Sequence, residues 1–312
     1  MDVDLSVIIP VFNEEDNIEP LEAELQAVLE TLPGRSEVIF VDDGSSDRSF
    51  ERLREVVSRR DWARVVKMKR NFGQTQAMAA GFDYARGSVL ICMDADLQND
   101  PRDIPRLLER MDQGFDIVSG WRKDRKDKFL TRRFPSICAN WLIGRIVGVR
   151  IHDYGCSLKA YDARVVKSLN LYSDMHRFLP ALASKCGARV TEITVNHRAR
   201  LHGESKYGLS RVFKVVIDIA VIKLIVDFAA RPIHAFGPIA AIYMLAVLFT
   251  LPFFVINLAV GYRVNVVIPT IMVLFAMGAL YFFGIGMLAD LVVRVGRDDT
   301  ARYARATAME LS

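Results

Sequence analysis

Residues 232–260 carry no Asp, Glu, Lys or Arg, and neither do residues 264–289. Each run exceeds the roughly 20 apolar residues that cross the hydrocarbon core of a bilayer. A helix satisfies its own backbone polar groups in lipid, so each run predicts a membrane-spanning helix, at about 236–258 and about 267–293. A buried core hairpin is the competing form, and two uncharged runs of this length argue against it. Pro252 and Pro269 do not, because membrane helices tolerate proline where neighbours satisfy the freed backbone groups. The connection between the runs holds only Arg263, whereas Arg294, Arg297, Arg302 and Arg305 follow the second. The positive-inside bias therefore expects a multi-pass protein of the cell (inner) membrane with both termini in the cytoplasm.

Everything before residue 209 is then a cytoplasmic domain of a different kind. "LSVIIPVF" (5–12), "SEVIFVD" (36–42), "ARVVKMKR" (63–70) and "SVLICMD" (88–94) read as buried strands. Amphipathic stretches separate them, at 14–32, 49–60 and 73–85. Strand–helix alternation of this type predicts an α/β domain with a largely parallel sheet, Rossmann-like in its layering. Ligands of such sheets bind at the carboxyl ends of the strands. Asn13, Glu14, Asp42, Asp43, Asp94 and Asp96 all follow strands and gather there.

Between the two regions, residues 209–232 mix charge into an apolar run. Arg211, Lys214 and Asp218 share one helical face and Lys223, Asp227 and Arg231 another, so one straight helix has no single polar stripe. Two short juxtamembrane helices lying on the bilayer surface, broken near Ile219 to Ile222, fit better. A tail, 294–312, ends the chain.

Half of the residues are hydrophobic (51%), and the net charge of +4 is too small to argue for a nucleic-acid partner. Basic residues do cluster at 121–133, which reads either as a solvated loop or as an anion site. Cys92, Cys138, Cys156 and Cys186 are widely spaced and fit free thiols in a reducing compartment. The first ten residues lack the pattern of a signal peptide.

"LICMDADLQ" (90–98) poses the chemical question. Asp94 and Asp96 follow an apolar strand and repel each other unless a positive partner is present. Hard oxygen ligands of this type suit Mg²⁺ or Mn²⁺ bridging phosphate oxygens, and Gln98 adds a neutral oxygen. "DDGS" (42–45) reads either as a turn capped by Ser46 or Asp47 or as a site for a base or ribose. Neither GxGxxG after the first strand nor GxxxxGK[ST] occurs, so dinucleotide and P-loop cradles are unsupported.

"IPVFNEEDNI", "VDDGSSD", "NFGQTQAMAAGFDYA", "MDADLQNDP" and "RLHGESKYG" together resemble the family 2 glycosyltransferases of the GT-A fold. More narrowly they resemble the polyprenyl-phosphate glycosyltransferases, the group that includes dolichol-phosphate mannose synthase and bacterial undecaprenyl-phosphate glucosyltransferases. The likeness spans residues 5–210. It implies that Pro10, Phe12 and Glu14 hold the nucleotide, although the family often has tyrosine where this chain has Phe12. It assigns Val41 and Asp43 to the base, and Asp94, Ala95, Asp96 and Gln98 to metal and diphosphate. Arg122, Arg132 and Ser136 resemble residues that grip a lipid phosphate. Arg200 and Lys206 resemble residues that close over the donor diphosphate, with Gly203 and Gly208 as hinges of a lid. Asp153 is read either as a sugar contact or as a turn cap, and His176 as a substrate contact or a surface histidine.

The expected activity is inverting transfer of a hexose from a nucleotide sugar, UDP-glucose or a related UDP-hexose, to polyprenyl phosphate. GDP-mannose is the alternative donor. A processive polysaccharide synthase is disfavoured because QxxRW is absent, and a non-catalytic scaffold because the site residues are intact. The oligomeric state stays open, a homo-oligomer among the options.

Overall fold

The computed structural model describes residues 3–123, 140, 144–145, 148–149, 151–168, 175–198, 232–259 and 266–310. Arg132, Ser136, Cys138, Arg200, Lys206, Arg263 and the juxtamembrane stretch 209–231 lie outside them. The chain divides into two units, Met1–Val216 and Ile217–Ser312.

In the first unit seven strands form one sheet: β1 (Leu5–Val11), β2 (Ser36–Asp42), β3 (Ala63–Lys67), β4 (Val89–Cys92), β5 (Ile117–Trp121), β6 (Lys159–Asp162) and β7 (Val190–Thr194). Their order across the sheet is β3-β2-β1-β4-β6-β5-β7. The pairs β1–β2, β2–β3, β1–β4 and β5–β7 are parallel, and β6 runs antiparallel to both β4 and β5. The parallel half matches the sequence expectation, whereas the reversed β6 has no counterpart in it.

Alternation along the strands explains the layers. Leu5, Val7, Ile9 and Val11 of β1 enter one core with Ile18, Leu21 and Leu25 of α1 (Ile18–Leu29), Leu53 and Val56 of α2 (Ser49–Arg59), and Ile104 and Leu107 of α4 (Ile104–Asp112). Ile8 enters the opposite core with Ala77, Met78 and Phe82 of α3 (Gln74–Tyr84), Val166 of α5 (Ala163–Lys167) and Leu179 of α6 (Leu179–Lys185). Helices cover both faces, so the strands read as almost continuous apolar runs. The first helix is shorter than its apolar period, beginning at Ile18, and the second starts after Arg48, with Asp47 Oδ1 accepting from Ser49 N at 3.0 Å.

Pro10 within a central strand needs an account, since proline cannot donate to a ladder. Pairing of β1 with β4 ends at Ile8↔Cys92, while pairing with β2 continues through Pro10↔Val41 to Val11↔Asp42. Pro10 therefore lies past the last β4 pair. β1 and β4 part there, at the point where the strand order reverses direction, and a crevice of this kind is where open α/β sheets bind ligands.

The second unit contributes α7 (Ile233–Ala259) and α8 (Val267–Glu310). α7 and the part of α8 spanning Val267–Val293 are long and apolar enough to cross a membrane, and only 6% and 11% of their most apolar windows are buried, unlike core helices. They pack through small residues: Ala240 and Ala279 are buried, and a Cβ on Gly278 would lie 2.5 Å from the Tyr243 ring. The α8 backbone continues helically through residues 294–310, the stretch the sequence reading set apart as a tail.

Candidate active site

The loop after β1 and the loop after β2 are sewn together. Asn13 sits at φ 56°, a left-handed conformation that asparagine tolerates, and its Oδ1 accepts from Ser46 N at 2.8 Å. Asn13 N donates to Ser45 Oγ, Glu14 N to Ser49 Oγ, and Glu15 N to Asp47 Oδ2. Glu14 itself accepts from Asn17 Nδ2 at 2.5 Å. Phe12 is 36% exposed and Pro10 half-buried.

Asp43 is buried and organises a third segment. Its Oδ1 and Oδ2 accept from Phe72 N and Gly73 N, at 2.8 and 2.9 Å. Gly44 follows at φ +71°, and a Cβ there would lie 2.5 Å from the carbonyl carbon of Arg70. Only glycine allows this turn to meet the segment so closely. The side chains of Val41 and Ala95, both assigned to ligand contacts from sequence, are in the core, so each has only backbone atoms to offer. Asp42 is fully buried with Oδ2 lacking a hydrogen-bond partner.

Past Cys92 the chain leaves the sheet but keeps alternating. Met93, Ala95 and Leu97 enter the core under α1 and α4, while Asp94, Asp96 and Gln98 are the alternate set. Asp94 accepts from Gln74 Nε2 at 2.7 Å, its N–H donates to Asn99 Oδ1 at 3.1 Å, and Asp96 accepts from Gln98 N at 3.2 Å. Burial and the neighbouring Asp96 carboxylate push the Asp94 pKa up, against the pull of Ser157, Arg122 and Lys159. The two carboxylates raise the cost of each other's charge, and hard oxygen donors of this kind fit a divalent cation. Among the described residues no group of three or more His, Cys, Asp or Glu converges as a metal site.

A second acidic set braces this loop. Asp100 is buried and accepts from Arg102, from Asn196 Nδ2 at 2.9 Å and from Arg198 Nη2 at 2.8 Å. Burial alone would raise its pKa, but the Asn196, Arg102 and Arg198 hydrogen bonds outweigh that and hold it far below the usual carboxylate range. Arg198 also reaches Glu24 of α1 at 2.6 Å, and its N–H donates to Gln98 O.

Arg122, the first residue past β5, is engaged by Asp153 through Nε and Nη2 at 2.7 and 3.0 Å. Lys159 is buried, its Nζ donating to the carbonyls of Tyr154 (3.2 Å) and Cys156. Ser157 Oγ donates to Asn99 Oδ1 at 2.8 Å. His176 pairs with Thr75 Oγ1 at 2.6 Å. Gln74, Asn99, Asp100, Ser157, Lys159 and Arg198 were not singled out from sequence. A lone lysine inside "CSLKAY" was the one visible signal, since an apolar strand admits a charge only with a partner.

A sheet of this topology, with an acidic loop past its central strand, is of the GT-A type. The chain belongs to the glycosyl transferase family 2, whose model matches residues 6–169. It is 42% identical over 310 residues to a dodecaprenyl-phosphate galacturonate synthase of Rhizobium johnstonii, covering 96% of this chain and 90% of that one. It is 38% identical over 300 residues to an undecaprenyl-phosphate 4-deoxy-4-formamido-L-arabinose transferase of Edwardsiella ictaluri, covering 96% and 91%. Among solved structures, glucosyl-3-phosphoglycerate synthase of Mycobacterium tuberculosis, crystallised with Mn²⁺, UDP and glucosyl-3-phosphoglycerate, superposes with TM-score 0.56 at 17% identity over 72% of this chain and 79% of that one. TarS of S. aureus, in complex with UDP-GlcNAc, gives 0.52 at 18% identity over 72% and 67%.

Proposed function

We propose that this protein transfers a hexose, with inversion, from a UDP-sugar to polyprenyl phosphate at the cytoplasmic face of the cell membrane. The observation that carries the reading is one chain holding both an acidic loop past the central strand of a GT-A sheet and two helices of membrane-crossing length. Both relatives are enzymes of a polyprenyl phosphate, which supports that acceptor. A UDP-sugar donor has support from the UDP complexes of the fold neighbours. UDP-glucose is the simplest donor of that class, and the galacturonate relative adds a hexose bearing a carboxylate to the candidate sugars.

In this reading Pro10, Phe12, Glu14, Val41 and Asp43 hold the nucleotide, and Arg200 and Lys206 bind the donor diphosphate. Asp94, Asp96 and Gln98 would hold Mg²⁺ or Mn²⁺, which when bound offsets the charge of the leaving nucleoside diphosphate. Arg122, Arg132 and Ser136 receive the acceptor phosphate, arginine suiting it because its planar fork can bind two oxygens. A phosphate monoester is already largely dianionic near neutral pH, so its oxygen needs no general base from the protein. The protein's part is orientation of two anions and exclusion of water.

The test is product analysis with polyprenyl phosphate and a panel of UDP-glucose, UDP-galacturonate, UDP-4-formamido-arabinose and GDP-mannose. Hexose carried from a UDP-sugar to the lipid phosphate supports the reading, and transfer from GDP-mannose alone, or of the formamido-arabinose alone, overturns its donor part. Polymer in place of a lipid-linked monosaccharide, or no transfer from any donor, overturns it.

A further inference from the structure

We propose that Asp153 is a positioning residue for the transfer reaction: it holds the Arg122 guanidinium in one orientation beside the acidic loop, so that the donors left uncommitted meet the acceptor phosphate. This rests on the assignment of Arg122 to that phosphate in the proposed function.

Asp153 has both oxygens occupied. Oδ2 accepts from Arg122 Nε at 2.7 Å and from Arg122 N at 3.4 Å, while Oδ1 accepts from Arg122 Nη2 at 3.0 Å and from Gly155 N at 3.1 Å. The side chains of Asp153 and Arg122 are 4% and 14% exposed. Among the described residues these contacts use two of the five guanidinium N–H groups, leaving the Nη1 pair and one on Nη2. Arg122 also lies within electrostatic reach of Asp94.

The segment carrying Asp153 is itself fastened. Lys159 Nζ, buried in β6, donates to the carbonyls of Tyr154 and Cys156, and Tyr154 OH donates to Val149 O at 2.7 Å. Ser157 reaches Asn99, which also accepts from Asp94 N. Asp153 therefore connects the arginine to the same framework that holds the acidic loop. A guanidinium whose task was affinity alone has no use for a carboxylate, since that charge repels a phosphate. A nearly buried bidentate pair instead fixes direction, and a misplaced reacting group loses rate more than binding.

The signature is consequently a fall in kcat without a weaker acceptor KM. Asp153→Asn keeps the shape and removes the charge, and is expected to lower kcat at least about tenfold with acceptor KM unchanged or reduced. Gly155→Ala leaves both charges in place but sets a Cβ 3.3 Å from Arg122 Nη2 and 3.5 Å from Asp153 Oδ1. It is expected to shift kcat the same way by less. In an Arg122→Lys background, Asp153→Asn should cost no more than about twofold, because the pair acts as one unit. A full loss in both backgrounds, or a loss confined to donor KM, overturns the proposal and marks Asp153 as a sugar contact. The lock is also read without turnover, from the Arg122 Nε–H resonance of ¹⁵N-arginine-labelled full-length protein. A slowly exchanging signal abolished by Asp153→Asn is expected, and a wild-type signal like that of free arginine overturns the lock. A wild type that holds the lock yet moves no sugar to polyprenyl phosphate overturns the proposed function alone.

Discussion

At the scale of single residues, Asp94 and Asp96 stand out in the sequence because an apolar strand runs into two carboxylates, and the structure sets them on the alternate side from the core residues Met93, Ala95 and Leu97. Asp96→Asn should lower transfer on the order of 100-fold, the several kcal/mol expected when a cation stabilising the leaving group loses a ligand. Initial rates with and without EDTA check this, and turnover that survives excess chelator removes the metal from the mechanism. The pairing of Arg122 with Asp153 was not legible, because thirty positions lie between the partners and Asp153 is placed by the reversed β6 that follows it. Glu37 gives a pH prediction of its own. Burial would raise its pKa, but hydrogen bonds from Ser6, Arg64 and the Arg86 N–H outweigh that and lower it. A carboxylate with a folded pKa below the unfolded one stabilises above the unfolded value, and the contribution fades as pH falls through the folded value. Acid melts should therefore show wild type losing an increment below about pH 4.5 that Glu37→Gln never had.

Among the elements, the first four strands and the helices between them were readable because βαβ units are local and their strands are apolar throughout. β6 and β7 were not. They are four and five residues long, and β6 takes its place from partners far along the chain. No short-range pattern encodes a reversed strand inserted between two others. Helix packing offers a direct check on the layers. A Cβ on Gly81 would lie 2.3 Å from Ile8 Cγ2, so α3 approaches β1 too closely for any side chain. Gly81→Ala should destabilise by about 1–3 kcal/mol, seen as a lower midpoint in thermal melts of the detergent-solubilised protein. Gly278→Leu should likewise loosen α7 from α8, because its Cβ meets the Tyr243 ring. Reduced crosslinking between cysteines placed in the two helices would report it.

For the whole molecule, the proposed orientation can be read with the protein's own thiols. Cys92 and Cys156 are buried and Cys186 is exposed. In a Cys138→Ser background, a membrane-impermeant maleimide should label Cys186 in inverted vesicles and leave it unlabelled in intact cells. The opposite pattern places the sheet on the outer side.

The position of β6 carries a consequence for how the molecule is made. β1 to β4 are complete once residue 92 has been synthesised, and each finds a neighbour already present. β5 emerges next but has no place beside β4, because that edge is reserved for a strand still about forty residues away. Only when residues 159–162 arrive can β6 bridge the two, and only then does Asp153 reach Arg122. The β1–β2 side of the sheet, proposed to hold the nucleotide, thus matures early and the Arg122 side late, with non-local pairing as the slow step. Until that step an open β4 edge is on display, the feature by which unfinished sheets misassociate. Pulse-labelled nascent chains arrested before residue 159 should accordingly be protease-sensitive from β5 onward, while β1 to β3 resist.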